Sequence, residues 1–136
     1  MCGVVAWVKA TTNGKVDEST LRSMTETLHH RGPDGEGFYV DGSVGLGHKR
    51  LSILDVENGK QPIESDGIVL SYNGEIYNFK QLKIELESLG YVFASQCDSE
   101  VLLFAWKEWG ASAVYKLRGM FAVSYTHLRA HETKKH

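Results

Sequence analysis

Met1-Cys2-Gly3-Val4-Val5-Ala6-Trp7-Val8-Lys9 opens the chain with a thiol at its second position and an apolar, β-branched run directly behind it. Residues 3–9 read as a largely buried strand, because Val, Ala and Trp in series suit a pleated surface and carry no turn signal. A strand starting at the third residue holds the second one rigid, where a chain terminus otherwise frays. Cys2 has a chemistry of its own at that place. A small second residue permits removal of the initiator Met, which leaves Cys2 with both a thiol and a free α-amine. In model peptides such groups ionise near about 8.5 and about 7.7–8.0, so the amine can take the thiol proton near neutral pH, directly or through one water. Nucleophile and base then belong to one residue. A Met-Cys start also arises by chance, and alone it decides nothing.

Outward from this strand, Asn13-Gly14 supplies a turn and Asp17 can cap a helix whose face is Leu21, Met24 and Leu28. Residues 29–37 are rich in breakers and read as a loop. Strands are expected at 38–40, 44–48 and 68–72, with Asp41-Gly42 and Asp66-Gly67 as two-residue hairpin turns. Phe79, Leu82, Leu86 and Leu89 mark a second helix, capped by Asn78 and stopped by Gly90. A strand at 91–94, a helix at 100–109 ended by Gly110, a helical piece at 113–117 and a last strand at 120–123 complete the series. Hairpins mixed with helices, without strict βαβ alternation, give an α+β class: antiparallel sheet with helices packed on it.

Composition narrows the function classes. A chain of 136 residues supports one ordinary core and is too short for two. With 42% hydrophobic and 24% charged residues it is globular. The net charge is -2 and the basic residues are scattered, which leaves no face for nucleic acid. No apolar run approaches the roughly 20 residues of a membrane span, and no secretory signal is visible. Two cysteines, Cys2 and Cys97, in such a chain fit a reducing cytoplasm. Cys97 is given no role.

Several other residues bear chemistry. The Asn73 side-chain amide and the Gly74 backbone N–H, at the end of the strand 68–72, can both donate to a developing oxyanion. Asn-Gly is equally the commonest hairpin turn, and both readings stand. Arg50, Glu75 and Asp98 adjoin strand ends or helix starts. A guanidinium suits an amino acid's carboxylate and acidic groups suit its ammonium. Taken singly, Arg50 and Glu75 also read as solvated surface charge, and Asp98 as a helix cap. Arg31-Gly32-Pro33-Asp34 is either a tight functional loop or a plain connection. Residues 42–49 lack the Gly-Lys-Ser/Thr ending of a phosphate-binding loop and read as a hairpin. His127, His131 and His136 are wrongly spaced for a zinc-protease helix, so no metal site is expected.

Read in order, Met1-Cys2-Gly3, Arg31-Gly32-Pro33-Asp34, Arg50-Leu51-Ser52-Ile53-Leu54-Asp55, Asn73-Gly74-Glu75-Ile76-Tyr77-Asn78, Asp98-Ser99-Glu100-Val101-Leu102-Leu103 and Arg118-Gly119-Met120-Phe121-Ala122 form one series. It resembles the class II glutamine amidotransferases, most closely the glutaminase domain of glutamine-hydrolysing asparagine synthetases. The resemblance implies an N-terminal nucleophile hydrolase: a sandwich of two antiparallel sheets flanked by helices, incomplete at its C-terminal side in this chain. It implies that Cys2 attacks the glutamine side-chain amide, that Asn73 and Gly74 hold the oxyanion, and that Arg50 binds the α-carboxylate. Glu75 and Asp98 would hold the α-ammonium, and Leu51, Ser52, Ile53 and Leu54 would line the pocket. A glutamyl thioester on Cys2 would release glutamate to water. Ammonia would pass to a second domain, absent here, where ATP and Mg²⁺ activate aspartate for conversion to asparagine. The implied partner is glutamine, with no cofactor in this chain, a cytoplasmic location, and a homodimer as the assembly to look for at full length.

Two departures accompany the resemblance. Residues 1–123 match the pattern as a partial domain. Residues 124–136 lose apolar periodicity, turn basic, and read as foreign sequence of the kind a frame error leaves. The last strand is therefore expected to lack partners and expose an edge. The alternatives are an amidotransferase domain serving another acceptor, or an inactive truncated fragment.

Overall fold

The computed structural model describes residues 2–11, 13–51 and 60–127. Strand β1 (Gly3–Val8) pairs antiparallel with β3 (Val44–Arg50), from Gly3 opposite Lys49 to Val8 opposite Val44. The other side of β3 pairs with β2 (Gly35–Asp41), which gives the order β1-β3-β2. A second antiparallel sheet is ordered β4-β5-β6, from β4 (Ile63–Ser65), β5 (Ile68–Ile76) and β6 (Gly119–His127). Both β1 and β3 touch β5, and His48 Nε2 of β3 lies 3.1 Å from the Tyr72 carbonyl oxygen of β5, so the sheets face one another.

Helix α1 (Glu18–Glu26) covers the outer face of the first sheet. It fits closely because β3 offers it glycines. A Cβ on Gly45 would sit 2.8 Å from Val16, and one on Gly47 would overlap the Thr25 hydroxyl. Side chains alternate across a strand. Gly45, Gly47 and Lys49 therefore face α1, with Lys49 Nζ 2.9 Å from Glu26, while Leu46, His48 and Arg50 face the second sheet. On the outer face of that second sheet lies α3 (Asp98–Trp109), with α2 (Phe79–Ser88) against it. The main core is here: Leu70, Tyr72 and Ile76 of β5 meet Leu82 and Leu86 of α2 and Val101 to Trp106 of α3. Each such buried Leu contributes about 1.5–3 kcal/mol. The α+β sandwich of two antiparallel sheets flanked by helices is the fold expected from the sequence.

Local expectations fared unevenly. Asp17 caps α1, its carboxylate accepting from Thr20 N at 3.2 Å, and Asp66-Gly67 is a tight turn with both residues at positive φ. Gly90 stops α2 at φ 103. The turn between β2 and β3 is Gly42-Ser43, because Asp41 still pairs with Val44. Met24 is exposed and Thr25 takes the inner face of α1, where a small side chain fits against Gly47. Strand β4 was not anticipated, and β2 begins at Gly35 inside the expected loop. Residues 91–94 form no strand: Tyr91 and Phe93 point at the Phe104 ring, with centroids 5.0 and 4.8 Å away. Their alternation serves a helix surface instead of a ladder. Asn78 makes no side-chain cap on α2; it binds Lys116 O and Arg118 N, both at 2.9 Å.

The last strand is longer than 120–123. Strand β6 continues to His127 and pairs with β5 along all nine residues, Ile68 opposite His127 and Ile76 opposite Gly119. It is thus partnered on one side, where no partner was expected, and forms the edge of its sheet among the described residues, as expected. Tyr125 in this extension stacks on Trp106, centroids 4.7 Å apart. Among the described residues no helix is long and apolar enough to cross a membrane.

Candidate active site

Cys2 precedes β1, and the pairing of Gly3 with Lys49 brings it to the far end of β3. There the Leu51 N–H points at its sulfur, N to Sγ 3.3 Å, and the Leu51 carbonyl oxygen lies 3.8 Å from it. Cys2 is half-buried. Its own carbonyl is gripped from a third direction, since Arg31 Nε donates to Cys2 O at 3.0 Å. The loop carrying Arg31 lies hard against β3. Asp34 N–H donates to Arg50 O at 2.9 Å, Pro33 bridges to Arg50, and a Cβ on Gly32 would be 2.6 Å from Arg50 N. Only glycine allows that approach. Arg31-Gly32-Pro33-Asp34 therefore braces Cys2 and the end of β3, a role the sequence left open.

The other side of the site comes from β5. Asn73 and Gly74 lie within this strand, opposite Ala122 and Phe121 of β6, which excludes the hairpin turn. Gly74 has φ 150, and a Cβ there would be 2.5 Å from Phe121 Cα. Alternation places Asn73 and Glu75 on the side of Val69 and Ser71, toward the first sheet, and Tyr72 toward α3. The Tyr72 hydroxyl lies 2.9 Å from the Gly74 carbonyl oxygen and donates to the Asp98 carboxylate in a short contact.

Asp98 is not the cap of α3. Cys97 holds that position without a side-chain capping bond, and Asp98 is the first helical residue, turned to Tyr72. Its place is set by buried Glu100, which accepts from Ser95 N at 2.9 Å, Ser95 Oγ at 2.8 Å and Ala94 N at 3.1 Å. Those bonds fold residues 94–97 over the start of the helix. Burial raises the Tyr72 phenol most; the Asp98 carboxylate and the charges of Glu75 and Cys2 add to it. Of these groups, Asp98 is in direct contact with the buried hydroxyl. Arg50, buried at the end of β3, is one residue from the Leu51 amide on the sulfur. Ser52, Ile53 and Leu54 fall outside the described residues.

The sequence missed Tyr72, whose signal was faint: a polar-tipped aromatic on the buried face of a strand, next to Asn73. The described residues hold no group of three or more His, Cys, Asp or Glu suited to a metal. A thiol held at the head of a strand by the Leu51 N–H, with its own carbonyl bound by Arg31, can serve as a nucleophile once it gives up its proton.

Comparison with known proteins gives three findings. A family model described as a glutamine amidotransferase domain matches residues 1–133. The chain is similar to asparagine synthetase [glutamine-hydrolyzing] 1 of Bacillus subtilis, 47% identical over 107 residues, covering 77% of this chain and 17% of that one. It is 39% identical over 126 residues to asparagine synthetase [glutamine-hydrolyzing] 3 of the same organism, covering 90% and 20%. The chain thus spans about a fifth of these curated relatives, at most 20% of either. In fold it is like a solved glutamine phosphoribosylpyrophosphate amidotransferase from B. subtilis, with TM-score 0.74 and 22% identity, over 93% of this chain and 35% of that one.

Proposed function

This chain belongs to the glutamine amidotransferase domain family, and from that premise we propose that it hydrolyses the side-chain amide of glutamine through a thioester on Cys2. The observation that carries the reading is the thiol at the head of the chain, fixed by the Leu51 N–H on its sulfur and Arg31 on its carbonyl, with β5, the strand that bears Asn73 and Gly74, packed against β1.

On this reading, loss of Met1 frees the Cys2 amine, which takes the thiol proton as the sulfur attacks the amide carbon. The Asn73 amide and the Gly74 N–H receive the negative charge that forms on oxygen. Arg50 binds the α-carboxylate, with Glu75 and Asp98 on the α-ammonium. The protonated amine returns its proton to the departing nitrogen, ammonia leaves, and water then cleaves the thioester to glutamate. No step uses a metal. Arg31 and the Leu51 N–H keep the sulfur in place between turnovers.

The protein that carries this domain is, on the same reading, an asparagine synthetase in which ammonia is consumed in a separate ATP- and Mg²⁺-dependent domain. Similarity to two such synthetases over most of this chain supports that branch. The test is glutamate release from glutamine by the parent and by Cys2→Ala. The variant is expected to fall by at least about a thousandfold; undiminished release removes the mechanism. An intact mass lacking Met1 is expected of active protein. Full activity in a chain that retains Met1 excludes the amine as base.

A further inference from the structure

We propose that Tyr72 is a positioning residue for the amino-acid end of the substrate, its hydroxyl fixing the Asp98 carboxylate to meet the α-ammonium of glutamine. The inference rests on the reading above that Asp98 receives that ammonium.

Tyr72 is only 3% exposed, and its ring is part of the core that β5 forms with α2 and α3. A phenylalanine fills the same space, so packing alone does not call for the hydroxyl. A buried phenol needs a partner, and this one has two oxygens in reach, the Asp98 carboxylate and Gly74 O. A phenol carries one proton, and the charged acceptor makes the stronger bond. That bond goes to Oδ2 of Asp98. It fixes the rotation of the carboxylate about its side chain and presents the other oxygen, Oδ1, in one direction. Asp98 follows the cap position of its helix instead of occupying it, and its carboxylate is turned to Tyr72.

Gly74 O lies 2.9 Å from the same hydroxyl, but with the one proton committed to Asp98 it receives no bond, so the ring acts on the ammonium end of the site. Burial and the acids around it keep the phenol protonated, so the donor is present across the working pH range. The direction of the ammonium-binding carboxylate is thereby set before glutamine arrives, so less ordering is needed when the substrate binds.

The experiment compares glutamine with its analogue lacking the α-amine, 5-amino-5-oxopentanoate, in the whole protein that carries the domain. The variants are Tyr72→Phe, Asp98→Asn and the double variant, each with a thermal melt. Tyr72→Phe is expected to raise KM for glutamine about tenfold, as loss of a bond to a charged group does, with kcat within about threefold. Its kcat/KM for the analogue is expected within about twofold of the parent. Added to Asp98→Asn, it is expected to change nothing further. Replacement of Tyr72 by 4-aminophenylalanine restores a donor and is expected to recover the KM for glutamine. Equal losses on both substrates, an additive double variant, or no recovery with the amino analogue each overturn the proposal. Should Asp98→Asn leave the preference for glutamine over the analogue unaltered, the ammonium reading fails first and takes the proposal with it. Should Asp98→Asn abolish that preference while Tyr72→Phe leaves it intact, only the proposal fails.

Discussion

Cys2 is fixed by three contacts that come from different parts of the chain: the strand pairing that begins at Gly3, the Leu51 amide on its sulfur and Arg31 on its carbonyl. The first two were open to a reader of the sequence, since a strand at residue 3 and a pocket residue at 51 were both expected. Arg31 was visible only as part of a loop. Its partner lies 29 residues away and is a backbone oxygen, so no side-chain pattern announces it. Because Arg31 is exposed, its bond adds little to stability. Arg31→Ala is therefore expected to lower kcat for glutamate release about tenfold, as a nucleophile held less firmly does. Its Tm is expected to move by only a few degrees. Parallel losses in rate and Tm, read in one assay and one melt, would show Arg31 to be structural instead. Tyr72 escaped the sequence for a similar reason, since its partner Asp98 is 26 positions away on a helix.

At the scale of elements, periodicity was a sound guide to where a helix or hairpin lies, even for α3, which is buried from Ser99 to Trp106. Helices α2 and α3 and the β2–β3 hairpin appeared about where they were expected. It failed where tertiary contacts reuse the same pattern. Residues 91–94 alternate like a strand yet serve the Phe104 ring, and Asn73-Gly74 looks like a turn yet lies in the middle of a nine-residue strand. Gly74 is there because β6 passes too close for a side chain. Gly74→Ala places a Cβ 2.5 Å from Phe121 Cα at φ 150, and is expected to cost about 2–4 kcal/mol and lower Tm by roughly 10 °C. A variant that melts with the parent would show that β6 yields at no cost. His48 joins the two sheets and sets a pH dependence. Burial lowers its pKa most, the Arg50 charge lowers it further, and the bond to Tyr72 O opposes both. In the unfolded chain it takes a proton near about 6.5, whereas in the fold it takes one only at lower pH. Unfolding thus binds a proton in that window. The stability is complete above about pH 6.5 and is lost as pH falls through and below it. Melts at pH 7.5, 6.5 and 5.5 should show Tm falling with pH, and His48→Gln should flatten the fall, although it melts lower at pH 7.5. The same slope in both proteins would exclude His48 as the cause.

Across the whole molecule, each sheet is made from one contiguous part of the described chain, the first from residues 3–50 and the second from 63–127. The site straddles the two, with Cys2, Arg31 and Arg50 on the first and Asn73, Glu75 and Asp98 on the second. Their cores are unequal. The large buried cluster runs from Ile68 to Leu117 and belongs wholly to the second part, whereas the first part buries chiefly Val16 and Leu21 on the α1 side and Leu46 on the side of the second sheet. Local opening follows buried apolar contact, so the two parts should open at different free energies. Native-state hydrogen exchange is expected to show amides of β5 and α3 exchanging only through global unfolding. Those of β1, β2 and β3 should exchange through an opening with a smaller denaturant slope. On the proposed mechanism the nucleophile, Cys2, rides on the part expected to open first. Glutaminase activity should then disappear at a denaturant concentration below the main unfolding transition, while the fluorescence of buried Trp106 still reports a folded second part. If activity, β1 exchange and Trp106 fluorescence are all lost in one transition, the two sheets unfold together. The contacts across His48 and Tyr72 then bind the halves more tightly than their separate cores imply.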